Sequence, residues 1–251
     1  MNHFTLIDQA FPHPAAMDVA VNHSILDAVS RGEMGGVLRL HVPGRVVAFG
    51  RSDRATPGYP KAVRATEAHG FAAIERLAGG RAAVFHEGTL AFSWVVPDPE
   101  PRKRTMERFK TISSVMVEAF SALGVDARIG EIPGEYCPGE FSVNLAGKFK
   151  IMGVGQRVVR GAAHVGGVVV VNDAHRIREV LVPVYRALGL DWDPRTTGAI
   201  SDHAPGIGTA AVATAIVESF ASRFDISKGV LPKNVVAQAE EFLSSHLPEV
   251  A

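Results

Sequence analysis

No apolar run in this chain is longer than a β-strand, and that limits the fold more than any other feature. The longest candidate, Val165 to Val171, already contains two glycines, whereas a membrane-crossing helix needs roughly 20 apolar residues. A chain of this kind is expected to be soluble and to fold from many short strands, with separate amphipathic helices as the second layer. Its 251 residues suffice for one substantial core.

Periodicity places the elements. Met17, Val21, Ile25 and Val29 share one face of a helix begun near Ala15, and Gly32 to Gly36 ends it. Val37–Val42 and Arg45–Gly50 read as two strands joined at Pro43-Gly44, the pattern of a hairpin. Arg51 to Arg54 reads as a loop, Lys61–His69 as a short helix and Phe71–Arg76 as a strand. Thr89–Val96 is a strand with Leu90, Phe92 and Trp94 on one face, broken by the prolines from Pro97 to Pro101. Arg102–Leu123 is the strongest helix, its stripe formed by Met106, Phe109, Ile112, Met116 and Phe120. Gly166–Val171 is a buried strand by its β-branched run. Ile177–Gly189 is a helix that Pro183 should kink or split. Thr209 is a candidate N-cap for a helix from Ala210 to Arg223, and Val235–Leu247 is a further amphipathic helix. The expectation is an α+β fold of mixed sheets covered by helices.

Composition removes several classes of function. Twenty-six basic and 26 acidic side chains leave no net charge, so no long-range field selects nucleic acid or an anionic membrane. One cysteine excludes an intrachain disulfide framework, and the first residues lack the pattern of a signal peptide; a reducing cytoplasm is expected. The histidines, among them His41, His86, His164, His175 and His203, show no metal-ligand spacing, and no metal is expected.

That cysteine marks the first informative stretch, Glu135 to Arg157. Tyr136-Cys137-Pro138-Gly139 has the composition of a turn. The alternation from Phe141 to Asn144, the turn signal Gly147-Lys148 and the run from Phe149 suggest a hairpin that brings Lys150 near Cys137. Gly153 and Gly155 in its second strand indicate a bulge or a close backbone approach. A thiol attacks as thiolate, which a neighbouring ammonium favours, so Cys137 with Lys150 forms a minimal nucleophile pair. A lone cysteine is equally compatible with a buried small hydrophobe.

The second stretch is Arg76-Leu-Ala-Gly-Gly-Arg-Ala-Ala-Val-Phe-His86. Gly79 and Gly80 let backbone N–H groups approach a ligand closely, and Arg76 and Arg81 flank them with positive charge. The pattern is neither a Walker A loop nor a dinucleotide fingerprint. A tight turn between strands would use the same glycines, and His86 alone fits a hydrogen-bonded structural residue.

At this point the sequence resembles the lipoate–protein ligase and octanoyltransferase family, whose loop typically reads Arg-Arg-x-x-Gly-Gly-Gly-Ala-Val-x-His. Here Arg81 stands in place of the third glycine. The similarity runs in order from Met17-Asp18 through Val47-Ala-Phe-Gly-Arg51 and the Gly-Gly loop to Lys150-Ile-Met-Gly153-Val-Gly-Gln156-Arg157 and His164. It implies a catalytic domain like that of class II biotinyl and lipoyl protein ligases over residues 1–251, with the C-terminal helices in 205–251 packed on it. By that resemblance Lys150 is the essential lysine, and Arg76, Gly79, Gly80, Arg81, His86, Gly153, Gln156 and His164 bind substrate. Cys137-Pro-Gly-Glu-Phe-Ser-Val looks like the cysteine-type transferases, and the group with a late Pro-Cys-Gly motif is excluded because no cysteine follows Cys137.

The implied activity is transfer of an octanoyl or lipoyl group onto the lysine of a lipoyl domain through a thioester on Cys137, with Lys150 favouring the thiolate and donating to the oxyanion. Val84, Phe85 and Phe141 would line the acyl slot. The transferase needs no cofactor. An ATP-dependent lipoate–protein ligase, which would use ATP and Mg, and a non-catalytic acyl-binding protein with Arg81 obstructing the pocket are the alternatives. Partners implied are lipoyl-domain proteins, namely the glycine cleavage H protein and 2-oxoacid dehydrogenase E2 subunits, together with acyl carrier protein; no nucleic acid or membrane partner is implied. A monomer is expected.

Overall fold

The computed structural model describes residues 2–249. In chain order the elements are β1 (His3–Ile7), α1 (Met17–Ser30), β2 (Gly36–His41), β3 (Val46–Phe49), α2 (Arg51–Arg54), α3 (Tyr59–Ala68), β4 (Ala72–Glu75), β5 (Ala83–Phe85) and β6 (Thr89–Pro97). There follow α4 (Thr105–Ala122), β7 (Ala127–Ile129), β8 (Val143–Leu145), β9 (Phe149–Val159), β10 (Ala162–Val170), α5 (Ala174–Leu188), α6 (Thr209–Ala221), β11 (Asp225–Lys228) and α7 (Lys233–Phe242). The strands form an eight-stranded sheet ordered β11-β1-β2-β6-β10-β9-β8-β7 and a three-stranded sheet ordered β4-β3-β5. Both are mixed: β1 runs parallel to β2 and β11, β3 runs parallel to β4, and the other pairs are antiparallel. The α+β expectation holds, and no described helix is long and apolar enough to cross a membrane.

Alternation decides which face of the large sheet does what. Leu38, Leu40, Leu90, Phe92, Trp94, Val165 and Val169 point one way, into a core closed by Ile112, Met116 and Phe120 of α4 and by Ile216 and Phe220 of α6. Their neighbours Arg39, His41, Ala91, Ser93, His164 and Gly166 point the other way, where α1 packs with Val37 and Val95. The small sheet is covered by α3 and α5 through Val47, Val63, Ile177, Val180 and Val184. At the C terminus α7 packs on α1 through Val235 and Ala239.

Five local expectations need correction. Arg51–Arg54, read as a loop, is the short helix α2, its start held by Asp53, which accepts the Gly50 N–H at 2.9 Å. β2 and β3 are not a hairpin: β2 pairs with β1 and β6, whereas β3 pairs with β4 and β5. Both strands are buried along their whole length, and Pro43, which has no N–H for a ladder, lies where the chain crosses between sheets. Helix α5 runs unbroken through Pro183; burial of Ile177, Leu181, Val184 and Leu188, at about 1.5–3 kcal/mol each, outweighs the roughly 3 kcal/mol a mid-helix proline costs. Gly208, not Thr209, is the N-cap of α6. The hairpin's register shift falls between Val143 and Asn144, while Gly153 and Gly155 keep a regular ladder with β10. Close approach is what they provide: a Cβ on Gly155 would lie 2.9 Å from the Gly79 carbonyl oxygen.

Candidate active site

The hairpin β8–β9 turns at Ala146 and Gly147, both with positive φ, the geometry that matches strand twist in a tight hairpin. Asn144 stabilises the turn by accepting the Gly147 N–H at 2.8 Å. Register then sets Lys150 opposite Asn144, with its side chain fully buried beneath the segment 135–137. Lys150 Nζ donates to Glu135 Oε1 at 2.7 Å, to the Tyr136 carbonyl at 2.9 Å and to the Cys137 carbonyl at 2.7 Å. It also lies 4.9 Å from the centre of the Tyr136 ring. Glu135 is held in turn by the Ser142 hydroxyl at 2.7 Å and the Ile132 N–H at 3.0 Å. An ammonium has three donors, and here all three are used.

The hairpin therefore does carry Lys150 to Cys137, but Lys150 bonds the cysteine's carbonyl and not its sulfur. Cys137 takes φ +43°, a conformation that a side chain other than Asn, Asp or Gly seldom adopts. Its N–H donates to the Tyr185 hydroxyl at 2.9 Å, and that hydroxyl donates to the Ala82 carbonyl at 3.0 Å. Held at both ends, Cys137 presents Sγ to the Arg81 N–H at 3.2 Å, with the Arg76 guanidinium 3.9 Å away. The cation nearest to bonding the sulfur is thus Arg76, in the place expected for Lys150.

The Gly-Gly loop is shaped for that contact. Gly80 has φ +112°, and a Cβ there would come within 3.0 Å of the sulfur and 2.9 Å of Arg76 Nη1. Gly50 must also lack a side chain, because its Cβ would meet the Gly80 carbonyl oxygen at 1.7 Å. Arg76 donates to the Arg81 carbonyl at 3.0 Å. Arg81 itself has no positive φ, so a third glycine is not required here. Its guanidinium turns away to buried Asp53, 3.3 Å distant, and does not line either cavity beside the loop.

Those two cavities share Arg76, Phe85 and Gly167. The smaller is lined by Cys137, Lys150, Tyr136, Gly153 and Val168. The larger encloses about 670 Å³ of empty space out to its mouth, and Val19, Val46, Ala48, Ile74, Leu77 and Ala78 are among its walls. His164 lines the larger one. Burial, and after it the charge of Arg76, pushes its imidazole down to about 3, so it is neutral near pH 7. Of the residues expected to line the slot, Phe85 does; Val84 is buried in the small-sheet core, and Phe141 stacks on Phe109 with ring centres 5.2 Å apart.

Two expected substrate-binding residues lie elsewhere. Gln156 is one position out of phase with Gly153 and Gly155, so its side chain leaves the opposite face of the sheet. There it accepts from Arg108 Nε at 2.6 Å and donates to the Thr105 carbonyl at 3.2 Å. His86 is buried and accepts the Gly88 N–H at 3.0 Å, shaping the turn into β6 and lining neither cavity. Burial holds it low, at about 4. Glu135, Tyr185, Asp18 and His41 were not expected to matter at the site.

The pattern of the lipoyl protein ligase A/B catalytic domain matches residues 14–221. The chain belongs to this family. Within the lipoyl protein ligase A/B family, it is 28% identical over 205 residues to an octanoyl-[GcvH]:protein N-octanoyltransferase of Geobacillus kaustophilus, covering 80% of this chain and 72% of that one. It is 26% identical over 209 residues to a lipoyl-[GcvH]:protein N-lipoyltransferase of Listeria monocytogenes, covering 79% and 74%. Against an Exiguobacterium octanoyltransferase of the same name the chain spans about half of that protein's length, 48%. The fold is that of a lipoate-protein ligase A solved with ATP, at a TM-score of 0.78 and 20% identity over 96% of this chain and 94% of that one. Within the family loop the departure at Arg81 is accommodated by its ordinary backbone and its partner Asp53.

Proposed function

We propose that this chain moves an octanoyl or lipoyl group from a carrier protein to the lysine of a lipoyl domain through a thioester on Cys137. One observation carries the reading: Cys137 Sγ lies against the Arg81 N–H and the Arg76 guanidinium, where two cavities meet. The thiolate attacks the donor's thioester carbonyl; a new C–S bond forms, and the tetrahedral oxyanion collapses with loss of the donor thiolate. The Arg81 N–H and Arg76 are the donors placed for that oxyanion, each worth on the order of 3 kcal/mol. Next the acceptor lysine's amine attacks, a C–N bond forms, the Cys137 sulfur leaves, and the amine's proton goes to the departing sulfur. Lys150 is a positioning residue in this scheme, because it clamps the carbonyls on either side of the Cys137 amide nitrogen.

The acyl chain occupies the larger cavity, reached past Phe85 and Arg76. By the names of its transferase relatives, the donor is taken to be an acylated glycine cleavage H protein, with E2 lipoyl domains as acceptors; a monomer in a reducing cytoplasm meets these needs. A transferase of this design consumes no ATP, since the donor thioester is already activated. The orientation of Arg81 toward Asp53 removes the obstruction that would favour a mere acyl binder. The test is acyl transfer from an octanoylated H protein to a lipoyl domain without nucleotide. Transfer that vanishes in Cys137→Ser is expected. Lipoate-dependent pyrophosphate release from ATP that persists in Cys137→Ser identifies a ligase instead.

A further inference from the structure

The loop that brings the Arg81 N–H to the sulfur has little local structure of its own. Gly79 and Gly80 are both exposed, and Gly80 sits at φ +112°; glycines in such a turn leave the peptide free to rotate. Two anchors oppose that rotation. On one side the Gly80 carbonyl is seated on Gly50, where any Cβ would collide with it. On the other, Arg81 is tied at both ends: its carbonyl accepts from Arg76 Nη1 at 3.0 Å, and its guanidinium reaches Asp53.

Asp53 is the point where the two anchors meet. Its side chain is fully buried; Oδ2 accepts the Gly50 N–H at 2.9 Å, and Oδ1 lies 3.3 Å from Arg81 Nη1. Among the described residues Arg81 is the one cation that pairs with it. Burial pushes the Asp53 carboxyl up, against the hydrogen bonds from Gly50 and Arg81. Loss of the guanidinium therefore leaves a buried acid short of a partner. Capping α2 takes only the bond from the Gly50 N–H, so the second oxygen is available to the loop. A glycine at position 81, typical of the family loop, could not make this tie.

We infer that Asp53 is a positioning residue for the transfer: through the Arg81 side chain it fixes the Arg81 N–H on the Cys137 sulfur, 3.2 Å away. It thereby sets the donor that steadies first the thiolate and then the oxyanion. For the oxyanion the inference rests on the acyl-transfer reading above; for the thiolate it rests on geometry alone. Neither Asp53 nor the Arg81 side chain touches the reacting atoms, and neither residue lines the cavity that holds Cys137.

The test compares Asp53→Asn, Arg81→Met, Arg81→Gly and Arg81→Lys with the wild-type full chain in two assays. The first is the pH dependence of alkylation by iodoacetamide, which reports on Cys137 alone because the sequence has no other cysteine. Asp53→Asn, Arg81→Met and Arg81→Gly are expected to move its midpoint up by about one pH unit, the weight of one hydrogen bond to a thiolate. Arg81→Lys, which keeps a cation for Asp53, should recover most of that shift. The second assay is octanoyl transfer from an octanoylated H protein, where the same three variants should lose about tenfold in kcat while KM stays within about twofold. The Arg81 variants alter a side chain that is 34% exposed, and they carry the test if Asp53→Asn does not fold. Variants that lose stability in urea but keep the wild-type alkylation midpoint and kcat overturn the inference, as does Arg81→Lys behaving like Arg81→Met. A shifted midpoint in a chain whose Cys137 never carries an octanoyl group counts against acyl transfer alone.

Discussion

Two buried polar clusters flank the slot, and they differ in whether their atoms are paired. At Lys150 all three ammonium donors and both oxygens of Glu135 have partners. At His41 and His164 three ring nitrogens have none. A fully matched cluster in a low-dielectric interior fixes geometry, and this one fixes the backbone that aims the sulfur. An unmatched one leaves buried polar atoms unpaired, at a cost to stability. Both lie on the glycine-rich side of the large sheet, while the opposite side is mainly apolar core, with the Gln156–Arg108 pair beside it.

Breaking the matched cluster should have the largest effect on stability. Lys150→Met leaves the Glu135 carboxylate buried and unpaired, and should cost about 3–5 kcal/mol in urea unfolding. Adding Glu135→Leu should return much of that loss while leaving the Cys137 loop without its clamp and acyl transfer impaired. Wild-type stability for Lys150→Met would remove the contrast between the clusters. Tyr185→Phe, which unpairs the Cys137 N–H and the Ala82 carbonyl, should cost about 1–3 kcal/mol and slow acylation of Cys137.

At the unmatched cluster the signature is pH dependence. His164 is pushed down to about 3 in the folded chain from an ordinary value near 6.5. Between those values the unfolded chain binds the extra proton, so this contribution to stability is full above about pH 6.5 and declines as pH falls toward 3, by at most about 1.4 kcal/mol per unit. His164→Phe should flatten that part of a stability-against-pH curve; an unchanged slope contradicts it. The smallest effect belongs to Gln156→Leu, on the far face of the sheet. It should cost about 1 kcal/mol through Arg108 and leave the acylation rate of Cys137 as it was.

Some of this was legible in the sequence and some was not, for physical reasons. The face of β6 and most of that of α4 could be read because alternation and the 3.6-residue stripe are local; Met106, at the first turn of the stripe, is exposed instead of core. The approach of Lys150 to Cys137 could be read because one hairpin turn sets it. Strands β1 and β11 escape the sequence reading, since they pair with each other in parallel across the length of the chain, β1 also with β2, and carry no local turn signal. The hairpin expected of β2 and β3 failed for a related reason: sheet membership is decided by distant strands. Tyr185 reaches Cys137 from 48 positions away, and the bond of Lys150 to a carbonyl instead of the sulfur depends on a φ that composition does not reveal. Asp18 stood inside the matching pattern, yet its partner His41 lies across a helix-to-strand contact.

The most direct measurement is peptide-level mass spectrometry of the full chain quenched seconds after mixing with an octanoylated H protein. The account predicts one added octanoyl group, on the peptide holding Cys137, labile to hydroxylamine and absent from Cys137→Ser. An unmodified Cys137 while octanoyl still reaches the acceptor domain, or an octanoyl group held elsewhere on the chain, would contradict it.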